Sequence, residues 1–142
     1  MQRFSQLDWA LFIVRLGAGI TIFAHGAQKL FPAGPLGFAH YLQAHHFPAP
    51  LAFAWIMAFV EFAGGLALLA GFQVKSVGAV LALERVVTAV RLKMVAHIGF
   101  TGSPRGIGWE FDFLLLCMVV AVALAGAGAV TLETALRSRR GP

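Results

Sequence analysis

Charge and cysteine are what this chain has least of. Only 12% of its 142 residues are Asp, Glu, Lys or Arg, against roughly a quarter in soluble domains, and this shortage excludes an ordinary soluble globule. Acid is scarcer than base: six Asp and Glu stand against eleven Lys and Arg, a formal net charge of +5. No run of Lys and Arg is interleaved with aromatic residues, and the one basic cluster is Arg137, Arg139 and Arg140 near the end of the sequence. The basic balance therefore does not mark a nucleic-acid binder. Cys117 is the only cysteine, so an internal disulfide, a CxxC redox pair and a cysteine-built zinc site are excluded. The first apolar run does not have the form of a secretory signal, because Arg15 interrupts it and no small-x-small cleavage site follows. It is expected to stay as a helix.

What is present is apolar. Hydrophobic residues make up 59% of the chain, and the mean hydropathy is +0.81. They gather into four segments, about 9–27, 50–70, 74–96 and 109–128, each close to the ~20 residues that carry a helix across a ~30 Å hydrocarbon core. Inside lipid a backbone must satisfy its own hydrogen bonds, which makes each segment a helix. The predicted fold is all-α: one integral membrane domain over 1–142, with four transmembrane helices in an antiparallel bundle. The third segment carries Glu84, Arg85, Arg91 and Lys93 and also reads as an amphipathic surface helix. The short Gly71-Phe72-Gln73 break before it favours a tight helical hairpin, and so a span.

Between the first two segments, residues 31–49 mix Pro32, Gly34, Pro35, Gly37 and Pro48 with Leu36, Phe38, Tyr41, Leu42 and Phe47. This composition predicts a structured cap at the membrane interface. Residues 99–108 are rich in glycine and predict a loop. The face holding both termini carries Arg3, Lys75, Arg137, Arg139 and Arg140, while the other carries Lys29 and Arg105, with Arg91 and Lys93 near its edge. That asymmetry predicts a multi-pass protein of the cell (inner) membrane with cytoplasmic termini.

The few charges at membrane depth are the informative residues. An ionisable group facing lipid near the bilayer centre costs at least ~2.5–3.5 kcal/mol, so such groups turn inward and find partners. Glu61 and Glu84 fall near the middles of the second and third spans and Arg15 roughly 6 Å to the cytoplasmic side of the middle of the first, which predicts a buried ion network in which Arg15 pairs with Glu61 or Glu84. Arg85 follows Glu84 directly and points about 100° away around the helix, so the two are not expected to share one inward face. A second group, His25, Lys29, Arg91 and Glu110, lies toward the opposite end. These four are the candidate ligand-binding residues, converging on a polar pocket that admits a head group such as a quinone's. The plainer reading of Glu110 and Asp112 is that they complement the positive end of the fourth helix. No metal site is predicted: His25 with His97 as haem ligands, or His45, His46 and His97 on a metal, lack the position or spacing such sites need.

In order along the chain, Arg15-Leu16-Gly17, His25-Gly26-x-x-Lys29, Glu61-x-x-Gly64-Gly65-x-x-x-Leu69-x-Gly71, His97-x-Gly99-Phe100 and Gly108-Trp109-Glu110 resemble the DoxX family of small four-helix membrane proteins. Gly126-Ala127-Gly128 followed by Thr131-Leu132-Glu133 is similar to that family's closing Gly-Pro-Gly and Ser-Leu-Asp pattern. Glu84-Arg85 departs from it. The family's name comes from a subunit linked to quinone-reducing thiosulfate oxidation, and relatives are associated with membrane complexes that handle oxidative or thiol stress. Arg15, His25, Lys29, Glu61 and Glu110 match its polar positions, without a catalytic role following from the match. The chain has no cofactor motif and no cysteine pair, hence no evident electron carrier of its own. The resemblance thus implies an accessory or quinone-interacting subunit in the bilayer, with a quinone or small apolar ligand and a soluble redox enzyme as partners. Two other readings stay open: a small-molecule binding or transport protein using the same pocket, and a structural assembly module whose polar groups satisfy one another.

Overall fold

The structure is a computed structural model that describes residues 4–32, 34–94, 97–102, 106, 108–132 and 134–135. All regular elements among them are helical: α1 Gln6–Leu30, α2 Gly34–Ala44, α3 Pro50–Ala70, α4 Val74–Val87, which runs on into a π-helical segment Thr88–Met94, and α5 Glu110–Ala125.

Local chemistry sets the helix ends. Ser5 caps α1 in a reciprocal box: its hydroxyl accepts from the Asp8 amide at 3.1 Å, and the Asp8 carboxylate accepts from the Ser5 amide at 2.8 Å. Two of the helix's orphan donors are thereby satisfied, and α1 starts at Gln6, ahead of the expected residue 9. Pro50 opens α3 at a position where its missing N–H costs nothing. Gly71, at φ 74°, closes α3. Its amide donates to Leu68 O and the Phe72 amide to Ala67 O, the paired bonds of a Schellman motif that needs a residue in the left-handed region. The chain then turns straight into α4, as the Gly71-Phe72-Gln73 break predicts. The third apolar segment is not one uniform α-helix, since from Thr88 it widens into π geometry; residues 95–96 lie outside the described residues.

Side-chain contacts give the relative directions. Along α1 and α3, Gly26 meets Phe62 while Gly19 meets Leu69, so the two run antiparallel. Gly64 against Leu81, Gly78 against Ala123, and Gly17 against Met118, taken with the ion pairs below, place α3, α4, α5 and α1 in a cycle of packed neighbours. The α1–α3 approach is the closest. A Cβ on Gly65 would lie 2.5 Å from the Phe23 amide nitrogen, so only glycine permits it. Ala18, Ile22, Leu68, Val74, Leu81, Leu115, Val119 and Val122 form the main core. The residues between α1 and α3 form a helical cap, α2, seated on a second core of Ala39, Leu42, Phe47 and Ala54 with Val87 beneath.

Polarity runs opposite to that of a soluble protein. Arg15, Glu61, Glu84, Arg85 and Asp112 are buried, while Ile13, Phe59, Leu83 and Leu124 are 64%, 64%, 67% and 77% exposed. Apolar surface on that scale seeks a partner other than water. Both α1 and α3 are long and apolar enough to cross a bilayer.

Candidate functional site

Each helix carries a buried stripe spaced by three or four residues. On α1 it is Leu11, Arg15, Ala18, Ile22 and Gly26; on α3 Ala54, Ala58, Glu61, Gly65 and Leu68; on α4 Val74, Gly78, Leu81 and Arg85; on α5 Asp112, Leu115, Val119 and Val122. An ionisable residue on such a stripe is carried inward with its apolar neighbours.

Glu61 stands at the centre of the result. It is fully buried, and its two oxygens accept from cations on different helices, Oε2 from Lys29 Nζ of α1 and Oε1 from Arg85 Nη2 of α4. Arg85 also donates from Nε to Glu84 Oε2 at 2.5 Å, and its Nη1 lies 3.6 Å from Asp112 Oδ1 on α5. Thr88, at the first position of the π-helical segment, donates its hydroxyl to Glu84 Oε1 at 2.9 Å. Lys29 Nζ sits 4.8 Å from the centroid of the Phe38 ring on α2, so α2 roofs the cluster with aromatic surface. A planar guanidinium with five N–H groups suits the centre of such a group because it can serve several carboxylates at once. Taking ions out of water costs several kcal/mol apiece, and only mutual pairing with complete hydrogen bonding offsets that loss.

Glu84 and Arg85 therefore do share an inward site. The expected divergence of neighbouring positions is overcome by the length of the arginine stem, which brings the guanidinium back to the carboxylate beside it. Arg15, by contrast, does not pair with Glu61 or Glu84. It is 1% exposed and donates from Nη1 to Leu68 O at 2.8 Å and from Nη2 to Val130 O. Register is the reason. Gly26 is the α1 residue level with Glu61 and Phe62, and Arg15 lies roughly 16 Å further along the axis at 1.5 Å per residue.

The four candidate ligand-binding residues are not equally available. Lys29 is committed to Glu61. Arg91 is exposed, its guanidinium 5.8 Å from the centroid of the Phe47 ring. His25 is half-buried, its ring 5.5 Å from that of Phe111, and it hydrogen-bonds to no described residue. Glu110, next to Phe111, accepts from the Gly102 amide at 2.8 Å through Oε1, while its Oε2 is buried without a partner. His25 and Glu110 are thus the two of the four that keep hydrogen-bonding atoms without a partner, the His25 ring against Phe111 and Glu110 Oε2 turned toward Gly108. An apolar groove of about 490 Å³ between α3 and α4, lined by Phe59, Gly64, Ala67, Val77 and Leu81 with Ser76 at its edge, offers almost no polar contact.

The sequence profile of the DoxX family matches residues 10–97, more than half the chain, and takes in the segments that supply Arg15, His25, Lys29, Glu61, Glu84 and Arg85. The chain belongs to the DoxX family. No curated protein and no solved structure matches it significantly. As a DoxX protein it is a membrane protein, in keeping with the buried charges and apolar exterior.

Three members of the ion cluster, Lys29, Arg85 and Asp112, were not assigned to it by sequence reasoning, which placed Lys29 with the ligand-binding residues instead. Arg85 has a usable signal: in an apolar helix, two adjacent charges can avoid lipid only by meeting each other or a partner on a neighbouring helix. Asp112 has one too, since it begins the stripe of Leu115, Val119 and Val122, whereas Glu110 lies off it. Among the described residues no three His, Cys, Asp or Glu side chains are grouped to hold a metal ion. The arrangement can do two things chemically. The ion cluster holds four helices and the α2 cap in one register, and the His25 ring and Glu110 Oε2 carry hydrogen-bonding atoms that no described residue uses.

Proposed function

We propose that this DoxX protein is a four-span subunit of the inner membrane, with cytoplasmic termini, that binds the polar head of a quinone-like ligand at His25 and Glu110 and serves a soluble redox enzyme as its membrane partner. The observation that carries this reading is that the His25 ring, packed on Phe111, and Glu110 Oε2 have no hydrogen-bond partner among the described residues, whereas Lys29, Glu61, Glu84 and Arg85 satisfy one another. An imidazole N–H is a donor for a quinone carbonyl, and a neutral imidazole keeps a second nitrogen as acceptor. Phe111, Phe23 and Phe62 supply aromatic surface nearby, the last two 4.9 Å apart between ring centroids. A bound quinone would supply two-electron chemistry; the chain's own residues would orient its ring and hold its oxygens. Lys29 is committed to Glu61, and Arg91 lies against the Phe47 ring, so the head group is assigned to His25 and Glu110.

Titration of a short-chain quinone into protein in detergent micelles tests the proposal. His25→Ala is expected to weaken binding about tenfold or more, the equivalent of one hydrogen bond from a partly desolvated donor, and Glu110→Gln to weaken it less. Equal affinity in wild type and both variants, with folding intact, would leave the assembly-module reading. The mutual pairing of Lys29, Glu61, Glu84 and Arg85 already favours that reading for the ion cluster itself.

A further inference from the structure

The opposite end of the molecule holds a cation of a different kind. Lys29 and Arg85 both touch carboxylates, but Arg15 touches none among the described residues. Its guanidinium is held by the carbonyls of Leu68 and Val130, and its Nε is buried without a partner. Leu68 O belongs to the last turn of α3, so the negative end of that helix supplies part of the compensation. Val130 supplies the rest, and it lies on the Gly-Ala-Gly segment that the head-group site leaves unused.

That segment crosses α1 after α5 ends. Gly126 and Gly128 adopt φ 89° and 66°, conformations open to glycine and strained for other residues. Among the described residues the amides of Ala127, Gly128 and Val130 donate to no acceptor. The segment is fastened to α1 by two polar contacts: the Ala129 amide donates to Asp8 Oδ1 at 2.7 Å, and Val130 O accepts from Arg15. Asp8 and Arg15 are seven residues apart on α1, two helical turns, and so point the same way. Beyond it, Thr131 stops the crossing by capping a new turn, its hydroxyl accepting from the Thr134 amide at 3.1 Å. A glycine-jointed segment tied at adjacent residues, with few backbone bonds of its own, belongs to the low-stability end of a fold.

We propose that residues 126–131 form a releasable strap, clasped by Asp8 and Arg15, and that lifting it uncovers Arg15 as a receptor for an oxyanion. Removal of Val130 O leaves a buried guanidinium with open N–H groups, which a phosphate or carboxylate satisfies in the bidentate geometry that arginine favours. The oxyanion can be a free ion or the head group of an anionic lipid in the adjoining leaflet. This site is independent of the His25–Glu110 reading and stands or falls separately.

The test uses the full chain in detergent and in lipid nanodiscs. Hydrogen exchange measured by mass spectrometry is expected to speed up about tenfold or more at the Ala129 and Thr131 amides, the hydrogen-bonded ones of residues 127–131, in Asp8→Ala, the loss of the segment's one bond to a carboxylate, while the interiors of α1 and α3 stay protected. Ser5→Ala, which breaks the helix cap but not the clasp, is expected to leave those residues as slow as wild type. Ala129→Pro removes the donor N–H without touching Asp8, and provides a second route should Asp8→Ala not fold. The released variants are then expected to bind inorganic phosphate, or phosphatidylglycerol in preference to phosphatidylcholine, more tightly than wild type, and Arg15→Gln on the same background to abolish the gain. Phosphate alone identifies a free-ion site, and phosphatidylglycerol without phosphate a lipid head-group site. Unchanged exchange in both released variants overturns the strap, and release without Arg15-dependent binding of either probe overturns the receptor.

Discussion

Arg85 carries more of the interior electrostatics than any other side chain, because its one guanidinium meets carboxylates from α3, α4 and α5. Arg85→Leu leaves Glu61 and Glu84 short of their shared cation and is expected to cost about 3–5 kcal/mol, the usual loss when a buried pair is broken from one side. Arg85→Leu combined with Glu84→Leu is expected to cost less than the sum of the two single changes, as unfolding in mixed micelles would show; strict additivity would mean the two do not interact. Arg15 and Glu61 behave in the opposite way. They share no partner and lie more than ~10 Å apart along the helices, so Arg15→Gln and Glu61→Gln should add to within about 0.5 kcal/mol. Sequence identified Arg15, Glu61 and Glu84 as buried, because lipid penalises each one alone, but not Arg85 or Asp112. It did not identify who meets whom, because pairing depends on how far one helix slides along another.

At the scale of the helices, the α1–α3 seam sets that slide. Gly26 and Gly65 let the backbones touch, and the contact at Phe62 and Phe23 fixes the register that delivers Lys29 rather than Arg15 to Glu61. Gly65→Val places a branched side chain where a Cβ alone would lie 2.5 Å from the Phe23 amide, and is expected to cost more than ~2 kcal/mol and to loosen the Lys29–Glu61 pair. Gly17→Ala is the contrast. Its new methyl would meet only the mobile end of Met118, at 3.1 Å, so near-wild-type thermal stability is expected. Equal losses in the two variants would show that the seam does not set the packing. The Ser5 cap that starts α1 ahead of the expected residue 9 was not read from the sequence, but the ends of α3 at Pro50 and Gly71 were legible, because helix-end chemistry acts within a few residues. The π-helical turn after Val87 was not, since no short-range signal in Thr88–Met94 announces it.

For the whole molecule, the exposed apolar exterior and the ion-paired interior together demand a bilayer. The proposed four-span topology places the N-terminus and the α3–α4 turn at residues 71–73 on the same side of the membrane. Reporter fusions at the N-terminus and within that turn are therefore expected to report one compartment, the cytoplasm; opposite compartments would rule out the topology. The strap, the Arg15 site and the α3–α4 turn then share the cytoplasmic end, while the ion cluster, its α2 roof and the His25–Glu110 edge share the other.

Composition and apolar run length were enough to determine that the chain is helical and belongs in a membrane, because both follow from the free energy of placing side chains and backbone in lipid, residue by residue. The ordered polar motifs were enough to point to DoxX. Tertiary structure alone decided that Glu61 takes Lys29 and Arg85, that Arg15 is held by carbonyls, and that Glu84 and Arg85 meet despite being neighbours. Those pairings rest on helix register and on the reach of long side chains around a shared interior, which are properties of several elements at once and leave no periodic trace in any one of them.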